Sequence, residues 1–224
     1  MRTNEKSAIV EHAPLRPPAE PSRSEGGKRR DILDGARRVF FDKGFDGASM
    51  DEVAKTAGVS KATIYVYFNS KEDLLEALVH SDRALAAEHL FEVDPAIDDI
   101  AGLLRRIGLS FMTMMVRPDH IRMIRMVIGI AEKFPRIGLN FFEAGPCRGG
   151  QRLADLLRQQ ANMGRLTLPD PDAAAHMFLN MCQGNMVKGL MFGAIMPPAP
   201  AEIEASVDAA VRVFLAGYGT QTRA

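Results

Sequence analysis

The sequence predicts an all-α protein, and three observations lead to this class. Apolar residues recur at helical spacing, as in the stripe formed by Ile32, Leu33, Ala36, Val39 and Phe40. Proline and glycine interrupt the chain at intervals that suit helices, and no segment shows the alternating pattern of a half-buried strand. With 224 residues, 46% of them hydrophobic, the chain can build one large or two small domains around a substantial core.

The first helix is predicted from about Arg29 to Lys43, and Gly44 ends it. Residues 1–27 precede it and carry four prolines among mixed charges, a composition typical of a disordered arm. The arm runs into the basic cluster at residues 28–30. These charges either contact a polyanion beside the next helices or are simply solvated.

Two short helices joined by a tight turn are predicted in the stretch SMDEVAKTAGVSKATIYVYFNSK. Ser49 stands at the N-cap position of the first, with Glu52 at capping-box spacing. Gly58 stands at the break, where the chain needs a left-handed conformation. Ser60 caps the second helix, over residues 61–68. A capped second helix after a glycine turn is typical of a helix-turn-helix.

The block from about Lys28 to Leu78 resembles the TetR family of transcriptional regulators. The residues that carry the resemblance are VSKATIYVYFNSKEDLL, preceded by the pair Gly44-Phe45 and a DEVA-type helix. The resemblance implies an N-terminal three-helix helix-turn-helix domain, expected at residues 28–73. It also implies a helical domain for ligand binding and dimerisation, expected at residues 74–224.

The resemblance implies that the second of these helices reads DNA. Lys61, Thr63 and Val66 are expected to face base edges, Lys61 through guanine acceptors and Val66 against a thymine methyl group. The other expected DNA-binding residues, mainly phosphate contacts, are Ser49, Ser60, Tyr65, Tyr67, Lys71, Lys28 and Arg29. The formal net charge of zero does not favour a general polyanion binder. Residues 53–71 nevertheless hold three lysines and no acidic residue, which favours a local phosphate-facing surface.

Caps and prolines divide the remaining chain into further helices. Ser70 is a plausible N-cap, and the pairs Asp94-Pro95 and Asp170-Pro171 each combine a cap with proline at the first helical position. The predicted helical ranges are 70–91, 95–116, 118–134, 137–162 with interruptions or kinks at Gly145-Pro146 and Gly149-Gly150, 172–192 and 202–218.

No catalytic, metal or cofactor site is predicted. The five histidines are scattered, the two cysteines do not form a CxxC pair, and nucleophile-elbow, phosphate-loop and dinucleotide motifs are absent from the sequence. The glycine-rich stretch GPCRGG follows no strand, so it favours a helix kink over a phosphate loop. Cys147 and Cys182 are interpreted as inert thiols rather than redox sensors. We expect a cytoplasmic protein without a signal peptide or membrane span.

Eleven of the thirteen methionines lie at residue 112 or beyond. Methionine packs adaptably, so these residues indicate a flexible pocket for an apolar small molecule, an ordinary helical core, or both. The resemblance favours a pocket, and the candidate lining residues are Phe111, Met115, His120, Ile124, Ile128, Phe141, Phe142, Met177, Asn180 and Met181.

The helix predicted at residues 172–192 is apolar on several faces and carries few charges. Such a helix must be covered on several faces, either within one subunit or by a second copy. The resemblance favours a homodimer formed through residues 172–192 and 202–218.

Together these expectations describe a ligand-responsive regulator, most often a repressor in this family. It would bind a palindromic operator in double-stranded DNA as a dimer and leave it when a small apolar effector binds. The alternative is a helical small-molecule binding protein without specific DNA binding. An all-α enzyme is a distant third possibility.

Overall fold

The computed structural model describes residues 25–90 and 99–220, with side chains described for residues 26–81 and 99–220. In these ranges the chain forms eleven α-helices and one π-helical segment, which confirms the all-α class. The helices are α1 Glu25–Gly47, α2 Met50–Ala57, α3 Lys61–Tyr67, α4 Lys71–Leu90, α5 Ile100–Met115, α6 Pro118–Ala131, α7 Pro135–Phe142, the π-helical segment Glu143–Cys147, α8 Arg148–Asn162, α9 Pro171–Gln183, α10 Met186–Phe192 and α11 Pro200–Tyr218.

Helices α1 and α2 cross at very close range. A Cβ atom on Gly35 would lie 2.8 Å from the Cβ of Ala57 and 2.9 Å from its backbone nitrogen, so only glycine fits at this crossing. Arg38 donates to the carbonyl of Thr56 at 3.2 Å and thereby caps the end of α2. Gly44 interrupts the helical run of α1 with a φ of 71°. The predicted end of the first helix at this glycine is confirmed.

The first hydrophobic core, here called the head core, extends beyond the helix-turn-helix. It combines side chains of α1–α4 with Met123, Val127 and Ile130 from α6 and Ile137 from α7, all of them buried. Leu74, Leu75 and Leu78 at the start of α4 also belong to it. A division of the chain at residues 73 and 74 therefore cuts through this core.

The second core, here called the body core, is built from α5, α8, α9, α10 and α11. Its tightest approach is at Gly108 in α5, where an added Cβ would lie 2.7 Å from Cγ1 of Val207 and 3.3 Å from the sulfur of Cys182. The rings of Phe178 and Phe214 meet edge to face, with centroids 5.4 Å apart. Phe214 connects α11 to α9 through this contact.

Helix α6 takes part in both cores. Ile121, near its start, is buried in the body core, whereas Met123, Val127 and Ile130 are buried in the head core. Arg125 lies between them and donates through Nε to the carbonyl of Met191 at 2.8 Å and through Nη2 to the carbonyl of Leu190. Since these carbonyls belong to the last turn of α10, the arginine caps that helix.

Two predicted helices are shaped differently from the sequence expectation. The helix predicted over 172–192 ends at Gln183, because Gly184 adopts a φ of 47° and a ψ of −128°, and α10 starts afresh at Met186. In the predicted segment 137–162, the expected interruption at Gly145-Pro146 is confirmed and takes the form of a π-helical turn. The interruption expected at Gly149-Gly150 is wrong, since both glycines lie inside the regular helix α8.

Some expectations fall outside the described residues. They include the arm predicted for residues 1–27 as far as residue 24, the predicted end of the fourth helix at Phe91 and the helix start at Asp94-Pro95. For residues 25–27 the prediction of a disordered arm is wrong, since α1 already begins at Glu25. Within the described ranges the fifth helix begins at Ile100, after Asp99.

Candidate nucleic-acid interface

Hydrogen bonds at the caps define the helix-turn-helix. The hydroxyl of Ser49 accepts from the backbone N–H of Glu52 at 3.3 Å, and the hydroxyl of Ser60 accepts from the N–H of Thr63 at 3.0 Å. Between them Gly58 takes a left-handed conformation with a φ of 68°. Both predicted N-caps and the predicted glycine turn are confirmed.

Helix α3 has one buried and one exposed face. Ile64 is fully buried and Phe68, which follows the helix, is 5% exposed. On the outer face Val66 is 79% exposed and Tyr65 45% exposed, with Lys61 exposed at the start of the helix. Thr63 and Tyr67 are half-buried at its flanks. A short capped helix with a protruding apolar and polar surface has the shape of an element that enters the major groove.

The ammonium group of Lys61 is held by a carboxylate on the preceding helix. Its Nζ lies 2.8 Å from Oδ1 and 2.9 Å from Oδ2 of Asp51 in α2. The hydrogen bond and the charge of Asp51 raise the pKa of Lys61 above its ordinary value. Asp51 was not among the predicted site residues, because the two residues are ten positions apart and meet only across the turn.

A second ion pair joins α1 to α2. Lys43 donates to the carboxylate of Glu52, whose other oxygen accepts from the hydroxyl of Ser49 at 3.3 Å. The hydrogen bond from Lys43 is the largest cause that holds the pKa of Glu52 below its ordinary value. The residue predicted from capping-box spacing thus also anchors α2 to the end of α1.

Lys71 is engaged inside the head rather than extended into solvent. Its Nζ donates to the carbonyl of Phe45 at 2.7 Å and to that of Ala48 at 3.0 Å, and it lies 4.5 Å from the centroid of the Phe45 ring. The lysine ties the start of α4 to the turn between α1 and α2. A phosphate contact by Lys71 stays a prediction, and making one would redirect these hydrogen bonds.

Phe45 is also the point where the head meets the corner between α6 and α7. Its ring stacks on Phe40 with centroids 5.9 Å apart and meets Phe134 edge to face at 5.4 Å. Phe134 immediately precedes α7. The turn that precedes α2 is therefore in direct contact with a residue from the second half of the chain.

The two predicted contacts on α1 are exposed. Lys28 and Arg29 lie in the first turns of that helix, and the guanidinium of Arg29 lies 5.4 Å from the centroid of the Phe68 ring. Because Phe68 directly follows α3, Arg29 lies beside the far end of the candidate recognition helix. A cation–π contact of this kind holds the arginine in place without neutralising its charge.

Two family models match the chain. The model described as "Bacterial regulatory proteins, tetR family" matches residues 32–78, which contain the helix-turn-helix. The model described as "AefR-like transcriptional repressor, C-terminal domain" matches residues 102–220, more than half of the chain. The chain belongs to the TetR family. The members of this family are described as bacterial regulatory proteins.

Individual proteins agree with this assignment. The chain is 40% identical over 65 residues to the HTH-type transcriptional repressor AcnR of Corynebacterium diphtheriae, covering 29% of this chain and 34% of AcnR. A TetR-family transcriptional regulator from Mesorhizobium loti MAFF303099 superposes with a TM-score of 0.84 at 28% identity, over 89% of this chain and 100% of that one. The Flavonoid-responsive Regulator FrrA superposes with a TM-score of 0.76 at 27% identity, over 88% and 100%. The chain spans 34–48% of the length of the first curated relatives that it matches.

In this TetR-family member, the ten predicted pocket residues differ in burial, and their role in a ligand pocket stays a prediction. Phe111 is buried in the body core, with Met115 and Met181 packed against it, whereas Phe141 packs against the head core. Three others face outward: Ile128 is 59% exposed, Phe142 57% and Met177 52%. The remaining three are His120 and Ile124, both half-buried, and the exposed Asn180. The sequence selected apolar residue types, but it did not show which helix face each residue occupies.

Polar residues also join α4 to α7, and the sequence analysis did not identify them. The carboxylate of Glu76 accepts from Nε of Arg136 at 3.0 Å and from the side-chain amide of Asn140. These residues line a groove of about 520 Å³ together with Arg29, Asp73, Ala77, His80 and Ser81. In this regulator the helix that follows the helix-turn-helix is thus fixed to α7 by charge-assisted hydrogen bonds as well as by apolar packing.

The described residues offer little for redox or metal chemistry. Burial raises the pKa of the Cys182 thiol to about 12, which keeps it protonated at neutral pH. No group of three or more His, Cys, Asp or Glu side chains within residues 26–81 and 99–220 is arranged to hold a metal ion.

In the same part of the chain, every helix is too short or too polar to cross a membrane.

Proposed function

We propose that this regulator is a ligand-responsive repressor that binds a palindromic operator as a homodimer and is released by a small apolar effector. The observation that carries the DNA-binding part is the exposed face of α3, where Lys61, Tyr65 and Val66 protrude from a helix capped at Ser60. The repressor role is supported by the description of the family model that matches residues 102–220.

The DNA contacts divide by chemistry in this proposal. Lys61, Thr63 and Val66 set sequence preference, since ammonium, hydroxyl and methyl groups match guanine acceptors, mixed base edges and the thymine methyl group. Ser49, Ser60, Tyr65, Tyr67, Lys28 and Arg29 contact the phosphate backbone and set the orientation of the head. Lys71 acts on phosphates only if DNA displaces its backbone carbonyl partners.

The proposed dimer is supported by apolar side chains on the outer surface of α9–α11. Phe192 is 85% exposed, Val213 61% and Met177 52%, and all three lie in the predicted interface ranges 172–192 and 202–218. Met196, 82% exposed, follows α10 and extends this surface beyond the predicted range. A second subunit that covers these side chains places two α3 helices on one operator.

The proposed effector response is supported by similarity to FrrA, a regulator described as flavonoid-responsive. At 27% identity the two folds align over 88% of this chain, so an apolar small molecule is a reasonable effector class to test. Typical allosteric coupling of about 1–3 kcal/mol would weaken operator binding about 5–150-fold. By reciprocity, operator DNA would weaken effector binding by the same factor.

A binding-site selection on the purified full chain tests the DNA-binding part. We expect an enriched inverted repeat, with its half-sites about one helical turn apart. Lys61→Ala should relax preference at one base pair of each half-site, and Phe192→Glu, at a side chain that is 85% exposed, should give monomers that lose the repeat. A selection that enriches no sequence, from protein shown to be folded, would instead favour the helical small-molecule binder.

The effector part needs a separate measurement. A panel of flavonoids, screened by thermal shift, supplies the first probes. Any compound that binds is then titrated calorimetrically with and without the selected operator. Equal affinity in the two titrations would show that the compound does not regulate DNA binding.

A further inference from the structure

The ion pair between Lys61 and Asp51 occupies a particular place in the head. Lys61 is the first residue of α3, and Asp51 is the second residue of α2. Both side chains are about two thirds exposed, at 64% and 63%, so neither is needed to fill the core. Both carboxylate oxygens lie within 2.9 Å of the same ammonium nitrogen.

This arrangement restricts what the lysine can do on DNA. A free lysine is a flexible point charge that can swing to any nearby phosphate. An ammonium group has three N–H donors, and a carboxylate that engages it through both oxygens leaves few of them available. While the pair is formed, the lysine carries less net charge toward the backbone and has one N–H donor left for another acceptor.

We propose that Asp51 is a specificity-determining residue that orients Lys61 for a base edge and withholds it from phosphates. On the operator, the pair stays intact and the remaining N–H donates to a guanine acceptor. On unrelated DNA, no acceptor lies in that direction, and the neutralised lysine adds nothing to binding. The inference rests on the proposed placement of α3 in the major groove.

A purely structural role for Asp51 is the competing explanation. An acidic residue in the first turn stabilises a helix through its dipole, and this holds for Asp51 in α2 whatever Lys61 does. Asp119 provides a matched control, because it is the second residue of α6 and pairs with Arg117 at 2.8 Å. Asp51→Asn and Asp119→Asn remove the same group from the same helical position, one in the head and one outside it.

The experiment measures the affinity of the full chain for the selected operator and for a scrambled duplex over a series of salt concentrations. For Asp51→Asn we expect two- to fivefold tighter binding to scrambled DNA. A factor of about this size corresponds to the free energy of one exposed ion pair. The slope of log K against log salt on scrambled DNA should steepen by about 0.9, the value for one added phosphate contact. Affinity for the operator should not rise in proportion, so the specificity ratio falls. Asp119→Asn should match the wild type on both duplexes.

The double variant Asp51→Asn with Lys61→Ala decides how Asp51 acts. If the carboxylate works through the lysine, the double variant binds scrambled DNA no more tightly than Lys61→Ala alone. A gain that persists there would show that Asp51 simply repels phosphates, and the proposal would be overturned. It would also be overturned if Asp51→Asn behaved like Asp119→Asn.

A further variant covers the case in which Asp51→Asn folds poorly. Asp51→Glu keeps the carboxylate and the helix dipole interaction, so it should retain most of the wild-type specificity ratio, whereas Asp51→Ser should lose it while still suiting a helix start. Equal ratios for these two variants would contradict the proposal. If the wild-type chain itself selects no sequence, the proposed function has failed, which is a different result from an unchanged ratio.

Discussion

The head core and the body core both contain a close helix crossing at a glycine, but they differ in the other interactions that fix their helices. In the head, hydrogen-bonded turns fix the helices: Ser49 and Ser60 cap α2 and α3, Gly58 makes the turn, and Lys71 binds the carbonyls of Phe45 and Ala48. In the body, helix α5 approaches its neighbours so closely at Gly108 that an added Cβ would lie 2.7 Å from Val207.

This difference shows where each region should be sensitive to mutation. Each hydrogen bond at a turn or cap contributes about 1 kcal/mol or less to the free energy of unfolding. The head should therefore tolerate the loss of single polar groups. Packing of buried rings involves many atoms at once, so the body should respond strongly to the loss of a ring. Close helix crossings occur in both regions, at Gly35 in the head and at Gly108 in the body. Three experiments test this difference.

The largest effect is expected from Phe214→Ala in the body core. Phe214 is 1% exposed and contacts the rings of Phe178 and Tyr218, with centroids 5.4 and 4.9 Å away. Removing the ring should cost about 3–5 kcal/mol of unfolding free energy, measured by urea denaturation at fixed protein concentration. Phe142→Ala is the control, because this ring is 57% exposed, and it should change stability by less than about 1 kcal/mol. Comparable losses for the two variants would mean that the body core is not packed around Phe214.

Adding a methyl group at a helix crossing compares the two regions directly. In Gly35→Ala the new Cβ meets the Cβ and backbone of Ala57, so α1 and α2 must separate, and the loss should lie near the top of about 1–3 kcal/mol. In Gly108→Ala the nearest atoms belong to the side chains of Val207 and Cys182, which can shift more cheaply, so the loss should be smaller.

Gly129→Ala is the control for both substitutions. Nothing lies within 4 Å of a Cβ added at this helical glycine, so alanine should stabilise the protein by up to about 1 kcal/mol. Thermal denaturation of the three variants checks the order. A larger loss at Gly108 than at Gly35 would show that the side chains of Val207 and Cys182 yield less readily than the α1–α2 crossing.

The smallest effect concerns pH and the ion pair between Lys43 and Glu52. Because the pair holds the pKa of Glu52 below its ordinary 4.5, its stabilisation is fully present above that pH. The stabilisation is lost as the pH falls through the lower folded-state pKa. Glu52→Gln should therefore flatten the decline in unfolding free energy from pH 4.5 downward. An unaltered decline in Glu52→Gln would show that this exposed pair does not contribute to the pH dependence.

The features that were predictable from the sequence are those with local causes. Ser49, Ser60 and Asp170 act as caps, and Gly44, Gly58 and Gly164 have the positive φ angles expected where a helix stops. Each of these signals needs only a few neighbouring residues. The exposed face of α3 was predictable for the same reason, since burial of Ile64 and Phe68 fixes which side chains point outward.

What the sequence did not show depends on partners far along the chain. The contacts of Lys61 with Asp51, of Lys71 with Phe45 and of Arg125 with α10 join residues 10, 26 and 65–66 positions apart, and no periodic rule connects them. An apolar stripe indicates that a helix is covered but does not name the helix that covers it. For that reason the continuation of the head core into α6 was not predicted.

The position of α6 has a practical consequence for chimeric biosensors. Met123, Val127 and Ile130 are 4%, 3% and 7% exposed because they lie against the head. A chimera that joins residues 1–73 to the second domain of another regulator replaces all three residues. The replacing side chains are not complementary in shape to this head core. Apolar side chains of the head core that these residues cover are then exposed to solvent, and we expect the chimera to aggregate. A chimera built from residues 1–73 must therefore also carry Met123, Val127 and Ile130 at the matching positions of the recipient's helix.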